Sequence, residues 1–275
     1  MTTPPLAAPQ VRGRRPPQGE PVVDRAFALL SAFDAGHRSL TLGELSRRSG
    51  IPASSALRLA SRLMAWGALE RDTNGRFTIG LRLWEVASLA PRAQELRQVA
   101  LPFLHDLEEV THQHVLLAVR DGGDALLVER LSSHHAMPVL YRVGGRLPLH
   151  STGVGMVLLA FAAPEVQEEV LSRPLMHEPE KIPVSPAALR RSLAEIRRDG
   201  AATVRRRVPQ ALVTVAAPIF DSKDQLAAAV SVVVPQERAE PRLLVAAVRT
   251  VARSISRGLG ARRASTDGPN PPTVG

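Results

Sequence analysis

The chain has 275 residues, 44% hydrophobic and 22% charged, and no cysteine. The length suits about two domains of ~100–200 residues. The missing thiols exclude disulfides, Cys-ligated zinc, iron–sulfur clusters and a thiol nucleophile. The net charge is +9, and all the basic residues except Lys181 and Lys223 are arginine, a balance that attracts polyanions such as nucleic acid. No apolar run approaches the ~18–20 residues of a membrane span. The opening MTTPPLAAPQVRGRRPPQGEP lacks the apolar core of a secretory signal, so a cytoplasmic protein is expected.

Residues 1–20 carry five prolines and three arginines without an apolar period and read as a disordered basic arm. After Pro21, an apolar stripe of Val22, Ala26, Leu29, Leu30 and Phe33 predicts a helix that Gly36 ends. Thr41-Leu-Gly-Glu44 is a capping box opening a second helix, which closes at Ser49-Gly50. Ile51-Pro52 leads directly into a third helix ending at Gly67, the signature of a helix-turn-helix. At ~100° per residue, Ala56, Leu57, Ala60, Leu63 and Met64 share one side of that helix. Ser55, Arg58 and Arg62 fall opposite, flanked by Ser54 and Ser61. Hydroxyls and guanidiniums in that arrangement suit base edges and phosphates in a major groove, although a solvated helix face shows the same pattern. Asn74-Gly75 between the runs at 69–71 and 76–79 predicts a hairpin with a type I′ turn. Residues 21–80 therefore read as a winged helix-turn-helix. Arg47 and Arg48 at the end of the second helix, with Arg71 and Arg76 on the wing, complete its candidate DNA-binding set.

Residues 81–110 form helical linker segments, with Pro91 marking an end or kink. Strand-like runs follow at His114–Arg120 and Ala125–Leu131, around Asp121-Gly122-Gly123-Asp124, then at Val139–Val143, Val213–Phe220 and Leu226–Val234. Helices are expected at about 153–163, 164–172, 186–199 and 241–260. Hairpin-joined strands with segregated helices predict an α+β domain over 111–260 with an antiparallel sheet. The remainder, 261–275, reads as a disordered tail. There is no G-x-S-x-G, P-loop or H-E-x-x-H. His112/His114 and His134/His135 lack a third ligand at a metal-site spacing, so no metal or cofactor is expected.

The loop from Gly144 to His150 runs into Ser151-Thr152-Gly153-Val154-Gly155, a helix start with free backbone N–H groups that suits a carboxylate. A capped helix with glycines for close packing fits equally well. Further on, Arg205-Arg206-Arg207 cannot all be buried, and in a strand Arg206 faces opposite to its neighbours.

VVDRAFALLSAF followed by LTLGELSRRSGIPASSALRLASRLMAWGALERDTNGRFTIGLRLWEVA resembles the DNA-binding domain of IclR-type transcriptional regulators, and the likeness continues to about residue 260. The resemblance implies a homodimer or homotetramer, paired partly through 81–110, that binds a double-stranded inverted-repeat operator. It also implies a GAF-like C-terminal domain that binds a small organic-acid effector and modulates operator affinity, most often in a repressor. By the same likeness, Gly153 and Val154, with Thr214, Ser231 and Val233 on facing strands, join Ser151 and Thr152 of that helix start as the candidate effector residues. The chain departs from the family in Ala53 for a lysine, Met156 for another, and arginines at 205–207 where acidic residues are usual. Two other classes stay open: a constitutive DNA-binding regulator whose sensor domain holds no ligand, and a small-molecule enzyme with an N-terminal interaction module.

Overall fold

The computed structural model describes residues 21–34, 36–133, 136, 141–177, 182–207 and 210–262. The expected arm at 1–20, His134, His135 and nearly all of the expected tail lie outside the described residues. The chain divides into two compact units, 1–90 and 91–275, so the boundary falls inside the segment expected as a linker.

In the first unit, α1 (Val22–Ser31) ends five residues before Gly36. Only the C-terminal part of its expected stripe is in the core: Leu29 is buried, whereas Val22 lies on the surface. Strand β1 (Ser39–Leu40) precedes α2 (Leu42–Ser49), and Gly50 closes α2 at a φ of 69° that a side chain would resist. In α3 (Ala53–Trp66) the inward residues are Ala56, Leu59 and Ala60. Leu57, expected inside, is 40% exposed, while Leu59 is 8% exposed. On the helical wheel Leu59 lies closer than Leu57 to the axis set by Ala56, Ala60 and Leu63.

The wing consists of β2 (Leu69–Arg71) and β3 (Phe77–Ile79), with β1 pairing on the free side of β3. Its turn is not the expected type I′. Only Gly75 has positive φ, and the Asp72 carboxylate accepts the backbone N–H groups of Asn74 (2.9 Å) and Arg76 (2.8 Å). An aspartate that organises the loop this way removes the need for a second left-handed residue. The short helix α4 (Leu81–Ala87) ends the unit.

The second unit opens with α5 (Pro91–Thr111), followed by β4 (His114–Asp121), β5 (Asp124–Leu131) and β6 (Arg146–Pro148). The strand expected at Val139–Val143 does not form over its described part, Tyr141–Val143, and the edge strand is β6 instead. Helices α6 (Gly153–Ala160) and α7 (Pro164–Leu171) come next, then the two-residue strands β7 (Met176–His177) and β8 (Ile182–Pro183). The chain continues through α8 (Pro186–Asp199), β9 (Ala202–Arg206), β10 (Leu212–Phe220), β11 (Leu226–Pro235) and α9 (Pro241–Gly258).

Six strands form one antiparallel sheet in the order β6-β5-β4-β11-β10-β9. Its faces follow from the two-residue period. Val213, Val215, Ala217, Val230 and Val232 meet α5 and α9, where Leu96, Ala100, Leu104 and Leu107 supply the helical side. Leu116, Ala118, Leu212, Ala216, Ala229 and Val233 meet α6 and α8. Among the described residues, no helix is long and apolar enough to cross a membrane.

Every residue of α6 is buried, as its sequence GVGMVLLA requires of a helix without a polar side. Glycine permits its position. A Cβ on Gly153 would stand 2.4 Å from the Thr214 Cγ2 on β10, and one on Gly155 would stand 2.3 Å from the Pro148 carbonyl oxygen. Gly153→Ala is expected to destabilise the chain by about 1–3 kcal/mol through overpacking, with part of the loss recovered when Thr214→Ala is added. Denaturant unfolding of both variants checks this; additive losses would show that the two residues do not press on each other.

Candidate nucleic-acid interface and ligand site

The outward face of α3 takes its direction from the packing just described. With Ala56, Leu59 and Ala60 against α1 and α2, the side chains of Ser54, Arg58, Ser61 and Arg62 are exposed and Ser55 is half-buried. Ser61 donates back to the Leu57 carbonyl at 2.9 Å. The ion pairs described in this unit are His37–Asp34, Arg48–Asp34 and Arg76–Glu44; Arg47, Arg58 and Arg62 take part in none of them. Three guanidiniums at the end of α2 and along α3 are thus held out to solvent, where a phosphate or a guanine edge meets them without first breaking a protein contact.

Two arginines of the expected DNA-binding set have other work. Arg48 donates through Nε to the Ala32 carbonyl at the end of α1 (2.6 Å) and pairs with Asp34, tying α2 to α1. Arg76 does not project from the wing. It donates to the Ser39 hydroxyl (3.0 Å), the Ser39 carbonyl (2.7 Å) and the Glu44 carboxylate (3.0 Å). Its contacts link wing, β1 and α2, a reach of 37 residues that no local pattern in the sequence announces. Arg71 stays exposed, although its Nε donates to the Gly75 carbonyl and its guanidinium lies 5.3 Å from the Phe77 ring centroid.

The carboxylate of Glu44 also completes the capping box, accepting from the Thr41 N–H at 2.8 Å and the Thr41 hydroxyl at 2.9 Å. These bonds, with Arg76 beside them, hold its pKa below the usual carboxylate range. The ionised form is favoured in the folded unit. Its stabilisation is therefore complete above the unfolded pKa and is lost as pH falls through the lowered folded value.

In the second unit, the candidate ligand residues fall into two groups. Thr152 is the N-cap of α6, and its hydroxyl accepts from the Gly155 N–H (3.2 Å) while donating to the Pro148 carbonyl (2.8 Å). That hydroxyl is committed to the cap. Gly153 is pressed on Thr214, and Val154 and Val233 are core residues. The side chains of these four pack α6 on the sheet. Ser151 lines a cavity of about 450 Å³ between the start of α6, α8 and β9, together with His150, Ser192, Glu195 and Arg205. None of Thr214, Ser231 and Val233 lines that cavity.

Thr214 and Ser231 do share the sheet face that meets α6. Two cross-strand rows run there. One is Val204, Thr214, Val233 and His114; the other is Ala202, Ala216, Ser231, Leu116 and Arg130. Ser231 is fully buried and its hydroxyl has no partner among the described residues. Arg206, on the same face of β9, likewise has a buried Nε without a partner, and its guanidinium sits 5.7 Å from the ring centroid of Tyr141, the chain's single tyrosine. Arg130 bonds the Tyr141 carbonyl and, through Nε, the Ser132 hydroxyl (2.8 Å), which also meets His114 Nδ1 at 2.8 Å. Two guanidiniums, an imidazole, an aromatic ring and an unpartnered hydroxyl at one end of a sheet face suit a small anion with an apolar body. Tyr141, Arg130 and Ser132 were not legible as site residues; the rarity of tyrosine in this chain was the one available signal. Arg205 and Arg207 are exposed, as strand alternation predicts. Among the described residues, no group of three or more His, Asp or Glu side chains is placed to hold a metal.

Residues 22–73 match the IclR helix-turn-helix domain, and residues 90–257 match the bacterial transcriptional regulator IclR C-terminal domain. The HTH-type transcriptional regulator BhcR of Paracoccus denitrificans is 30% identical over 246 residues, covering 88% of this chain and 88% of its own. The repressor AllR of Escherichia coli is 28% identical over 264 residues, covering 91% and 97%. The crystal structure of an IclR homolog from Microbacterium hydrocarbonoxydans, complexed with 4-hydroxybenzoate, superposes with a TM-score of 0.82 at 36% identity, covering 89% of this chain and 100% of that one.

For the tie between wing and α2, the stability difference between wild type and Glu44→Gln is expected to be largest near neutral pH. It should shrink as pH falls through the carboxylate range. Urea midpoints measured across that range check it, and a constant difference would contradict the assignment.

Proposed function

Because the chain belongs to the IclR family of bacterial transcriptional regulators, we propose that α3 reads an inverted-repeat DNA operator and that a small aromatic acid in the second unit sets the affinity of that reading. The chain is a DNA-binding regulator with an effector-sensing C-terminal domain. The observation that carries the operator assignment is the outward face of α3, where Arg58 and Arg62 stand exposed and take part in none of the unit's described ion pairs. Repression is the sense of control we favour, since the AllR relative is a repressor.

Two-fold pairing follows from the apolar surface of the first unit. Val22, Val23 and Phe27 of α1, and Leu81 and Trp84 of α4, are all at least 60% exposed. Large apolar side chains left in water mark an association surface, and a second copy is the partner that an inverted repeat requires. The apolar stripe of α5 serves its own core instead. Half-sites centred about 34 Å apart, or a multiple of it, are expected.

The effector reading rests on the unpartnered Ser231 hydroxyl and Arg206 Nε with Thr214 between their rows. It is supported by the 4-hydroxybenzoate held by the Microbacterium homolog. A carboxylate suits the arginines, and an aromatic body suits the apolar remainder of the face.

Arg58→Ala is expected to cost about 1–3 kcal/mol at the operator and to flatten preference at one base pair per half-site. Arg47→Ala should weaken all sequences alike and lower the salt slope by about one. Quantitative footprinting on matched and mismatched operators separates the two, and identical, sequence-independent losses would overturn the roles. In a thermal-shift assay, 4-hydroxybenzoate at ~100 times its Kd should add about 2.7 kcal/mol. Thr214→Val should weaken the ligand by about 1–2 kcal/mol while ligand-free DNA affinity stays intact; unchanged calorimetric affinity would place the ligand elsewhere.

A further inference from the structure

Among the described residues, Glu129 on β5 is the one acidic side chain that is buried, at 7% exposure. A carboxylate taken out of water needs partners for its oxygens. One oxygen accepts the backbone N–H of Arg130 at 2.9 Å, and the other pairs with Nε of Arg97, in the second turn of α5. A break in the strand register sets the direction of both neighbours. Ala118 pairs with Leu127 and Leu117 with Glu129, so Val128 is an extra residue, a β-bulge. Without it, alternation from Leu127 would turn Glu129 toward α6 and Arg130 toward α5. With it, Glu129 shares a side with Leu117, which meets α5 and α9. Arg130 shares a side with Leu116, in the Ser231 row, and from there reaches Ser132 and the Tyr141 carbonyl. Bulges commonly re-aim side chains in this way beside functional sites.

We propose that Glu129 and Arg97 are positioning residues that report occupancy of the ligand face to α5, a role that rests on the effector reading above. An anion that takes the Arg130 guanidinium draws it from the Tyr141 carbonyl. The residue so moved is the one whose N–H the Glu129 carboxylate holds. The bulge lets β5 shift there without stripping a ladder pair. The carboxylate turns with the strand, and Arg97 follows it. The chain enters α5 from α4 through residues 88–90, so the start of α5 lies between the ligand face and the DNA-reading unit along the chain. Both reporting residues lie on the side of the sheet away from the ligand groups.

The test takes the full chain with 4-hydroxybenzoate as probe. It reads operator affinity with and without the probe, and the calorimetric affinity for the probe itself. Glu129→Gln keeps an acceptor for the Arg130 N–H and removes the charge that Arg97 meets. Arg97→Gln removes the other half at a half-exposed position and decides the matter should Glu129→Gln not fold. Wild type is expected to show a coupling factor of about 5–150, and both variants a factor within about twofold of one, with probe affinity and probe-free operator affinity unchanged. Arg97→Lys, which keeps the charge, should retain the wild-type factor. Lower stability alone leaves the factor of the folded protein untouched. A coupled wild type whose factor survives in both Gln variants overturns this proposal alone. A factor that falls only together with probe affinity assigns the pair to binding and overturns the reporting role. A wild type whose operator affinity ignores the probe overturns the effector reading and this proposal together.

Discussion

A helix with no polar side must be covered on every side, and in the second unit that helix is α6. Its burial requires direct backbone contact with the sheet, which Gly153 permits by accepting the Thr214 methyl where any side chain would collide. The Thr152 hydroxyl then caps the Gly155 N–H and donates to the Pro148 carbonyl, tying the helix start to the loop before it. The consequence for function is one of placement. With α6 fixed over the middle of the sheet, the ligand groups proposed above are those of the sheet face itself, around Ser231, Thr214 and Arg206, and of the Tyr141–Arg130–Ser132 cluster beside it.

The first unit divides its arginines by a similar logic. Arg48 and Arg76 bind carbonyls and carboxylates of the unit and hold α1, α2, β1 and the wing in one arrangement. Arg47, Arg58 and Arg62 remain outward, on the end of α2 and on α3. The internal arginines fix where the external ones point, and an interface that needs its guanidiniums within hydrogen-bond reach of base edges depends on that rigidity. Charge alone does not distinguish the two groups, since all five are arginines of one small unit. Their partners do.

Local signals were legible in the sequence. The Thr41–Glu44 capping box and the helix stops at Gly50 and Gly67 are each set by residues a few positions apart, and all formed as read. The readings that failed depended on distance or on competing chemistry. The wing turn departed from type I′ because the Asp72 carboxylate supplied an organising acceptor. Leu57 turned outward because Leu59 lay closer to the packing axis. Arg76 was read as an outward wing residue because its partners, Ser39 and Glu44, are more than 30 residues away. Thr152 illustrates the limit for the ligand site. A hydroxyl at a helix start serves a cap or a ligand equally well in sequence; in the folded chain this one caps Gly155.

The central claim is that ligand occupancy on the sheet face and operator binding by α3 are coupled through one chain. Linkage makes this measurable from either end: the factor by which a ligand changes operator affinity must equal the factor by which the operator changes ligand affinity. Operator titrations with and without saturating 4-hydroxybenzoate, paired with calorimetric ligand titrations of the free and operator-bound protein, give both factors. The account predicts equal factors of about 5–150, the usual span of allosteric coupling. Ligand binding that leaves operator affinity unchanged would contradict it.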